Sequence, residues 1–214
     1  MFLETWHYFR DSSEDCSIYL NSMPMIHNEL SKGYVQPYLG DPMLENNIAR
    51  EIYINIINNA TDYVYITTPY LAIDQEFLLS LTNASKRGVD VKIITPHIPD
   101  KNYIFRVTQS YYKDLISHGA KIYEYAPGFI HSKTIIADDK LATVGTVNFD
   151  YRSFYHNYEC GVWLYNTNSI NDIKKDFENT LSSSIEVNYE FIKTNITLLK
   201  YLSGEILKLF APLF

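Results

Sequence analysis

The sequence predicts an α/β/α layered protein, in which helices pack on a mixed, mostly parallel central sheet. Short apolar runs rich in Val, Ile and Tyr, typical of buried strands, alternate with longer segments of helical periodicity. After one opening helix, the segments read strand, helix, strand, helix, four strands and a final helix. Hydrophobic residues make up 46% of the 214 positions, which is enough for a sizeable core.

Local signals bound the first predicted elements. Isoleucines recur at helical spacing in NNIAREIYINIINNA, and the β-rich run DYVYITTPY is stopped by Pro69. Asp74 is suited to cap the helix QEFLLSLTNASKR, and Gly88 ends that helix. The run VDVKIIT is then a second buried strand.

The second half of the pattern holds more strands than helices. NYIFRVTQSYYKDLISHG is predicted to be a helix that ends at Gly119, and AKIYEY is the next strand. KTIIAD and LATVG are typical of a hairpin-like pair around Asp139 and Lys140. YECGVWLYN is another strand, and Ser169 is a possible cap for the helix SINDIKKDFENTLSSS.

The chain divides into three predicted regions. Residues 1–43 are expected to be an irregular lead-in, residues 44–186 carry the α/β pattern, and residues 187–214 form an amphipathic helical segment. One side of that last segment carries Ile192, Ile196, Leu199, Leu202, Ile206 and Phe210. This side either packs on its own domain or meets a partner or a membrane surface, and the sequence leaves both open.

The composition argues against several classes of protein. A net charge of −7 disfavours a protein that coats nucleic acid, because such proteins neutralise phosphates with a dense basic surface. Two cysteines indicate neither a disulfide framework nor a cysteine-based metal site. No run of about 18 apolar residues is present, so no membrane-spanning helix is expected. The N-terminal residues lack the basic flank and apolar stretch of a signal peptide.

The segment FIHSKTIIADDKLATVGTVNFDYRSF, residues 129–154, combines side chains suited to phosphate chemistry. His131 and Lys133 are two residues apart at the entry to a predicted strand, so they face the same side. An imidazole can attack phosphorus or transfer a proton, and an ammonium group binds a phosphate oxygen. The pair is therefore a candidate site for phosphoryl or phosphatidyl transfer.

Other residues of this region are candidate members of the same site. Gly145 allows the backbone to approach closely, Thr146 closes the turn or binds substrate, and the Asn148 amide can donate to a second phosphate oxygen. Asp138 is either catalytic or, as is more common, structural, with its carboxylate holding backbone N–H groups. Glu159 is either an ordinary strand residue or the group that binds one imidazole nitrogen and fixes its tautomer.

Taken together, these residues resemble the HKD motif of the phospholipase D superfamily. That motif is His-x-Lys, four residues, Asp, six residues, Gly-Thr or Gly-Ser, and an Asn, and it is complete here from His131 to Asn148. Glu159 matches the acidic residue that follows the motif. The stretches YITTPYLAID, KIYEYAPGFIHSKT and LFAPLF extend the resemblance to the C-terminal half of bacterial cardiolipin synthase, from about Val35 to Phe214.

The resemblance implies a phospholipase D-like fold for residues 44–186 and a phosphatidyltransferase that needs no metal or other cofactor. Two molecules of phosphatidylglycerol would give cardiolipin and glycerol through a phosphatidyl-histidine. The chain would act at a membrane surface, peripherally on the cytoplasmic face of a bacterial membrane. The implied catalytic residues are His131, Lys133, Asp138, Asn148 and Glu159. The implied substrate-binding residues are Lys133, Gly145, Thr146 and Asn148. Whether His131 is the nucleophile or the proton donor stays open.

The motif occurs once in these 214 residues, whereas known enzymes of this type carry two. A second motif is expected from a homodimer or from a separate first half, with Tyr151, Phe154, Tyr155 and Arg152 at the interface. Two alternatives remain. One is a single-motif nuclease or phosphodiesterase that acts as a homodimer, although no nucleic acid partner is expected from the acidic composition. The other is a half that binds phosphate or a partner without turnover.

Overall fold

A computed structural model describes residues 2–10, 15, 17–20, 32–43 and 47–213. The chain divides into two compact units, Met1–Ser31 and Lys32–Phe214. The first unit carries helices α1 (Phe2–Arg10) and α2 (Ser17–Leu20). The second unit carries every other element and the whole HKD-like segment.

Strands and helices of the second unit follow one another along the chain with short connections. The strands are β1 (Tyr34–Gly40), β2 (Tyr63–Thr67), β3 (Leu71–Ala72), β4 (Asp90–Pro96), β5 (Lys121–Tyr125), β6 (Thr134–Ala137), β7 (Leu141–Gly145), β8 (Phe149–Asp150), β9 (Glu159–Tyr165) and β10 (Ser184–Val187). The helices are α3 (Ile48–Asn59), α4 (Gln75–Lys86), α5 (Asn102–Ser117), α6 (Tyr151–Tyr155), α7 (Ser169–Ser182), α8 (Tyr189–Asn195), α9 (Leu198–Lys208) and the short 3-10 helix η1 (Ala211–Leu213).

The main sheet is mixed, as predicted, but the expectation that it is mostly parallel is wrong. Its strand order is β1-β9-β7-β6-β2-β4-β5-β10 in the described residues. There, β2 pairs in parallel with β4 and β4 with β5, whereas every other neighbouring pair is antiparallel. The parallel pairs are those joined through α4 and α5. The connections from β6 to β7 and from β7 to β9 hold no such crossover helix, so these strands pair antiparallel.

Helices cover both faces of the sheet, which confirms the layered α/β class. On one face α3, α4 and α5 bury Tyr53, Phe77 and Tyr111 against alternate strand residues such as Val64 and Ile66. On the other face α7 buries Ile170 and Phe177 against Tyr63, Ile94, Ile136 and Leu164. This alternation follows from the two-residue period of a strand, which sends successive side chains to opposite layers.

Part of the predicted lead-in, residues 1–43, is regular, and the expectation that it is irregular is wrong there. Tyr34–Gly40 is an edge strand that pairs antiparallel with β9. Pro37 lies inside this strand and most of its residues are exposed, so it lacks the pattern of a buried strand. The helices α1 and α2 also fall in the lead-in. The domain limits at residues 44 and 186 stay a prediction.

The predicted helix ends are mostly confirmed. The Asp74 carboxylate accepts a hydrogen bond from the Phe77 N–H at 2.9 Å, as expected for an N-cap. Gly88 and Gly119 follow α4 and α5 with φ of +93° and +97°, values that favour glycine. The cap assigned to Ser169 is wrong, because Ser169 is already the first helical residue and Asn168 precedes it.

The C-terminal segment packs on its own domain with one side only. Ile196 is buried, and the backbone of Gly204 lies so close to α5 that a Cβ there would be 2.5 Å from the Arg106 carbonyl oxygen. The opposite side of α9 and the residues after it turn large apolar side chains to the surface. None of the described helices is long and apolar enough to cross a membrane.

Candidate active site

The HKD-like residues other than Asp138 lie at one edge of the sheet, where β2, β4 and β7 end and where β6 and β9 begin. Strand register shows this directly. Thr134, which follows Lys133, pairs with Thr67 of β2 and with Val144 of β7. Gly145 pairs with Gly161 of β9, two residues after Glu159. Lys133, Gly145 and Glu159 are therefore brought to the same edge.

His131 lies in the loop between β5 and β6, with its side chain against an aromatic pair. The centroid of its ring is 5.6 Å from that of Phe129, and the Phe129 ring is 6.2 Å from that of Tyr70. The Tyr70 hydroxyl donates a hydrogen bond of 2.5 Å to the Asp100 carboxylate. The loop that carries His131 is thus packed against residues that follow β2 and β4.

The surroundings of His131 favour its neutral form. Burial lowers the pKa of the imidazole below its ordinary value, the Lys133 ammonium lowers it further, and the Asp100 carboxylate opposes both. A neutral imidazole has a free lone pair, so it can attack phosphorus or accept a proton near neutral pH. The Asp100 charge supports the protonated form that a proton donor needs.

Lys133 is only 8% exposed, although it carries a charge. Its Nζ donates a hydrogen bond of 2.7 Å to the backbone carbonyl of His131, which fixes the loop above it. Burial lowers the pKa of the ammonium, and the carboxylates of Glu159 and Asp150 oppose that shift. An ammonium group has three donors, so two remain for a phosphate oxygen after the loop contact.

Glu159 is 6% exposed and is held by the residues around it. Its carboxylate accepts hydrogen bonds from the Thr146 hydroxyl and, at 3.2 Å, from the Asn157 amide. The Thr146 oxygen in turn accepts from the Cys160 N–H at 3.0 Å. In the described structure these groups, rather than the imidazole of His131, bind the Glu159 carboxylate, which acts electrostatically on Lys133. The expectation that Glu159 fixes the tautomer of His131 is not met within this chain.

Gly145 and Asn148 shape the turn that completes the edge. A Cβ on Gly145 would lie 2.6 Å from the Gly161 Cα and overlap the Cys160 carbonyl, so glycine is required by the close approach of β9. The Asn148 Nδ2 donates to the Ser153 hydroxyl at 3.0 Å. Its Oδ1 is buried without a hydrogen-bond partner among the described residues. Asn148 therefore presents an acceptor as well as a donor.

Asp138 lies away from the other motif residues, at the far end of β6. Asp138 is five positions after Lys133 along an extended strand, a distance of about 16 Å. Both carboxylate oxygens are occupied: they accept from the N–H groups of Thr61, Asp62 and Tyr63 at 2.8 to 2.9 Å, and from the Thr61 hydroxyl at 3.0 Å. The contacts match the structural role that the sequence left open for Asp138, and the catalytic role implied by the motif is not supported by its position.

Asp100, Tyr70 and Asp150 were missed in the sequence. Tyr70 packs against Phe129 of the His131 loop, and the Asp100 carboxylate raises the pKa of His131. The Asp150 carboxylate raises the pKa of Lys133. Burial raises the pKa of Asp150, whose carboxylate accepts from the Ser153 N–H at 2.7 Å. One signal could have found the first two residues: Tyr70 and Asp100 come shortly after parallel strands, whose carboxyl ends share an edge.

Comparison with known proteins shows the family of the chain. A family model described as the cardiolipin synthase, PLD-like domain matches residues 53–181, more than half of the chain. The chain belongs to this family. An uncharacterized protein of Streptococcus mutans is 43% identical over 213 residues, 100% of this chain and 45% of the relative. A cardiolipin synthase of Geobacillus kaustophilus is 36% identical over 190 residues, 89% of this chain and 38% of the relative.

A solved structure shows the same fold. Nuc, a phospholipase D family member from Salmonella typhimurium, superimposes with a TM-score of 0.62 at 20% sequence identity. The match covers 73% of this chain and 99% of the Nuc chain. The phospholipase D-like fold predicted from the motif is therefore confirmed. The chain spans less than half the length of the two curated relatives that it matches.

Replacing Asp138 with Asn should lower the free energy of unfolding by roughly 2–4 kcal/mol, because hydrogen bonds to a charged group contribute about 1.5–3 kcal/mol each and do not add fully. Asn tolerates the φ of +54° at this position, so the change isolates the carboxylate. Urea unfolding at pH 7 measures the effect. The exposed neighbour Asp62, changed to Asn, is the control and should stay within about 0.5 kcal/mol of the original protein.

The difference in free energy of unfolding between the original protein and the Asp138→Asn variant should depend on pH. Burial opposes the charge of Asp138, but the hydrogen bonds from Tyr63, Thr61 and Asp62 outweigh it and lower the pKa of the carboxyl. The contribution of the Asp138 carboxylate to stability is therefore complete above the ordinary Asp pKa of about 3.9. It is lost as the pH falls through the folded-state pKa. The stability difference should be constant above about pH 5 and shrink below about pH 4. A variant as stable as the original protein at pH 7 would contradict the structural role.

Replacing Asp100 with Asn should lower the pKa of His131 further, because the carboxylate stabilises the imidazolium. Long-range ¹H–¹⁵N NMR during a pH titration measures this pKa, with the His131→Gln variant used to assign the signal. Asp172→Asn, an exposed change in α7, is the control and should leave the pKa of His131 unchanged. An unchanged or raised pKa in the Asp100 variant would mean that this carboxylate does not act on His131.

Proposed function

We propose that this chain supplies one half-site of a cardiolipin synthase-type phosphatidyltransferase, which converts two molecules of phosphatidylglycerol into cardiolipin and glycerol. One observation carries the proposal: a histidine that favours its neutral form is two residues from a buried lysine, whose Nζ makes one hydrogen bond among the described residues. The family of the chain and the cardiolipin synthase of Geobacillus kaustophilus support the choice of substrate.

The first step forms a covalent intermediate. A nitrogen of one imidazole attacks the phosphorus of phosphatidylglycerol, and the bond from phosphorus to the glycerol oxygen breaks. A second imidazolium gives its proton to that oxygen, so glycerol leaves as a neutral alcohol. The enzyme retains a phosphatidyl-histidine and one neutral imidazole.

The second step reverses the roles. A hydroxyl of the second phosphatidylglycerol loses its proton to the neutral imidazole and attacks the same phosphorus. The phosphorus–nitrogen bond breaks, cardiolipin is released, and both imidazoles return to their starting states. Each step places the attacking and leaving atoms on opposite sides of phosphorus.

Lys133 and Asn148 act on the charge that the phosphate carries through both steps. The two remaining Lys133 donors suit non-bridging phosphate oxygens, and charge-assisted hydrogen bonds of this kind are stronger than neutral ones. The Asn148 amide can add a donor at the same edge. Thr146 and Glu159 serve mainly to hold the edge and to keep Lys133 protonated, as their hydrogen bonds and the Glu159 charge support.

Two imidazoles are needed, and the motif occurs once in these residues. The second imidazole would come from a second copy of this chain or from a separate first half. His131 serves as nucleophile or as proton donor in such an assembly, and its surroundings favour the neutral, nucleophilic form. The chain would act peripherally on the cytoplasmic face of a bacterial membrane.

The interface expected from the aromatic residues of NFDYRSFYHNYE needs correction. Phe154 is 6% exposed and packs in the core against Tyr53 and Phe77. The Tyr155 hydroxyl is bonded to the Asp74 carboxylate at 3.2 Å. Phe154 is therefore excluded as an interface anchor, whereas Arg152 is exposed.

A phosphodiesterase or nuclease that acts as a homodimer is the second candidate. It is favoured by the match to almost the entire Nuc chain, which shows that one such fold can make up a whole solved chain. The net charge of −7 disfavours a polyanionic substrate. Assays of lipid exchange and of DNA cleavage on the same sample separate the two candidates. Loss of both activities in a folded protein would favour a non-catalytic half.

The His131→Ala variant should abolish conversion of phosphatidylglycerol in any active assembly, because it removes either the nucleophile or the proton donor. General acid–base catalysis alone contributes roughly 10²–10⁴ in rate. Mass spectrometry of the lipid products measures turnover, and it also detects a modified histidine. His118→Ala, at the end of α5, is the control with unchanged activity. Activity of His131→Ala within tenfold of the original protein would overturn the assignment.

Replacing Lys133 with Ala should lower the rate roughly 10²–10³-fold, by analogy with the loss of one oxyanion donor. The Asn148→Ala variant should lose a similar factor. Lys140→Ala, in the turn between β6 and β7, is the control and should keep full activity. An equal loss at Lys140 would place the pocket elsewhere, and circular dichroism establishes that each variant is folded.

Light scattering across a concentration series, with activity measured in the same samples, tests the assembly. If this chain works as a homodimer, specific activity should rise with the dimer fraction. Two identical imidazoles must then be one neutral and one protonated, a state most populated near their shared pKa, which lies below the ordinary 6.5. The homodimer should therefore be most active below about pH 6.5. A strictly monomeric chain with constant specific activity would contradict this arrangement.

A further inference from the structure

The C-terminal end of the chain carries a row of exposed apolar side chains, here called the C-terminal stripe. Its members are Leu199 (79% exposed), Leu202 (49%), Ile206 (60%), Leu209 (78%), Phe210 (49%) and Leu213 (80%), and all neighbours except Leu209 and Phe210 are three or four residues apart. An amphipathic helix normally turns such a row toward its core. Here the small residue Gly204 faces α5 instead, and the stripe faces outward. A continuous apolar surface of this kind marks an interaction site.

The stripe ends beside a small cavity next to the candidate active site. The cavity has a volume of about 50 Å³, and its lining includes Tyr70, Lys101, Asp150, Arg152 and Ala211. Ala211 belongs to η1, where it is 2% exposed, between stripe members Phe210 and Leu213. Asp150 lies two residues after Asn148, and Tyr70 packs against Phe129 of the His131 loop. The cavity thus lies where η1, at the end of the stripe, meets the segment that follows Asn148.

The end of the chain is held in this position by a specific contact. The Nε2 of His156 is 3.0 Å from the carbonyl oxygen of Pro212, and η1 packs on α6. Since α6 begins directly after Asp150, the same short segment positions both the cavity and the motif turn. The stripe is therefore fixed relative to the cavity.

The size and charge of the cavity limit what it can bind. Pockets for drug-sized ligands measure roughly 300–1,000 Å³, so this cavity admits only a small group and leaves the rest of a larger ligand outside. Lys101 and Arg152 are both exposed and carry positive charge at its lining. Asp150 also lines the cavity, where it is buried and its carboxylate accepts a hydrogen bond from the Ser153 N–H at 2.7 Å.

We propose that this cavity receives the phosphate headgroup of an anionic phospholipid between Lys101 and Arg152, while the C-terminal stripe lies in the apolar layer of the membrane that contains the lipid. The inference rests on the proposed function, in which a second phosphatidylglycerol must reach the phosphatidyl-histidine. It adds the place where that lipid binds and the surface by which the chain meets the bilayer.

A lipid fits these features better than a protein partner does. A partner protein would need only the apolar stripe, whereas an anionic amphiphile needs an apolar surface and a small cationic site in continuity. Lys193 and Lys200 are exposed beside the apolar row, as is typical of helices that lie in a membrane interface. Stripe and cavity together match one amphiphilic ligand.

Flotation with vesicles tests the proposal on the full chain. The probes are vesicles of phosphatidylcholine alone and vesicles that contain 30% phosphatidylglycerol, at about 0.15 M salt. The chain should bind the anionic vesicles about tenfold more tightly. Arg152→Gln and Lys101→Gln should each weaken that binding roughly fivefold, the effect of one basic residue near an anionic surface, and leave binding to phosphatidylcholine unchanged. Lys86→Gln, in α4, is the matched control without effect.

The stripe has its own variants and control. The double change Ile206→Gln and Leu209→Gln should weaken binding to both kinds of vesicle at least tenfold, and exposure of both residues means that the fold is kept. Leu79→Gln, also on an exposed helix surface, should bind as the original protein does. Light scattering without vesicles measures the oligomeric state of the original protein and of the double variant. A stripe that holds two copies together would release monomers on this change, and that result would overturn the lipid proposal.

Two further outcomes decide the proposal separately from the proposed function. Binding that is unaffected by the double change, or equal for both vesicle types in all proteins, overturns the inference even if turnover is observed. The His131→Ala variant, which lacks the catalytic imidazole, should bind vesicles like the original protein. If vesicle binding follows the predicted pattern but no protein turns over phosphatidylglycerol, the lipid site stands and the homodimer form of the proposed function fails.

Discussion

The candidate site depends on the hydrogen bond and the charge interactions of the buried Lys133 ammonium. A charge at 8% exposure is costly unless it is paired and hydrogen-bonded, and here each requirement is met by a different segment. The His131 carbonyl accepts from it, and Glu159 and Asp150 supply negative charge. The loop that carries His131, the start of β9 and the start of α6 are consequently held around a single group. The same ammonium helps to keep His131 neutral, so the residue that orders the loop also sets its chemistry.

The features that the sequence predicted are those with local causes. Asp74 caps α4 because its carboxylate and the helix N–H groups lie within one turn, and Gly88 and Gly119 end helices because their φ is positive. The expectation that His131 and Lys133 face the same side rested on the two-residue period of a strand, but both residues precede β6, so it stays a prediction. The features that the sequence analysis missed depend on pairing between strands that are far apart in the sequence. The strand β1 contains Pro37 and is exposed, and only its register with β9 makes it part of the sheet.

The electrostatic interactions within the site could not be predicted either, because they join residues that are far apart in the sequence. Asp100 is 31 positions before His131, and only the packing of Tyr70 on Phe129 brings the two segments together. The role expected of Glu159 shifted from the imidazole to Lys133 because Thr146 and Asn157 fix the carboxylate. Spacing along the chain predicted which residues form the candidate site. The fold decides which of them is neutral, which is charged and which, like Asp138, only holds strands together.

The unpartnered oxygen of Asn148 indicates what a complete site must supply. A buried acceptor without a hydrogen bond costs about 1–3 kcal/mol, and Oδ1 has no partner among the described residues. At neutral pH a phosphodiester group has hydrogen-bond acceptors but no donor. It can therefore accept from the Lys133 ammonium, but it cannot donate to the Asn148 oxygen. The missing donor must be an N–H or O–H group. The imidazolium of a second half-site and the hydroxyl of a second phosphatidylglycerol are both such groups, and the proposed two-step transfer needs both of them at this edge. Under the proposed function, Asn148 Oδ1 would accept a hydrogen bond from one of these two groups.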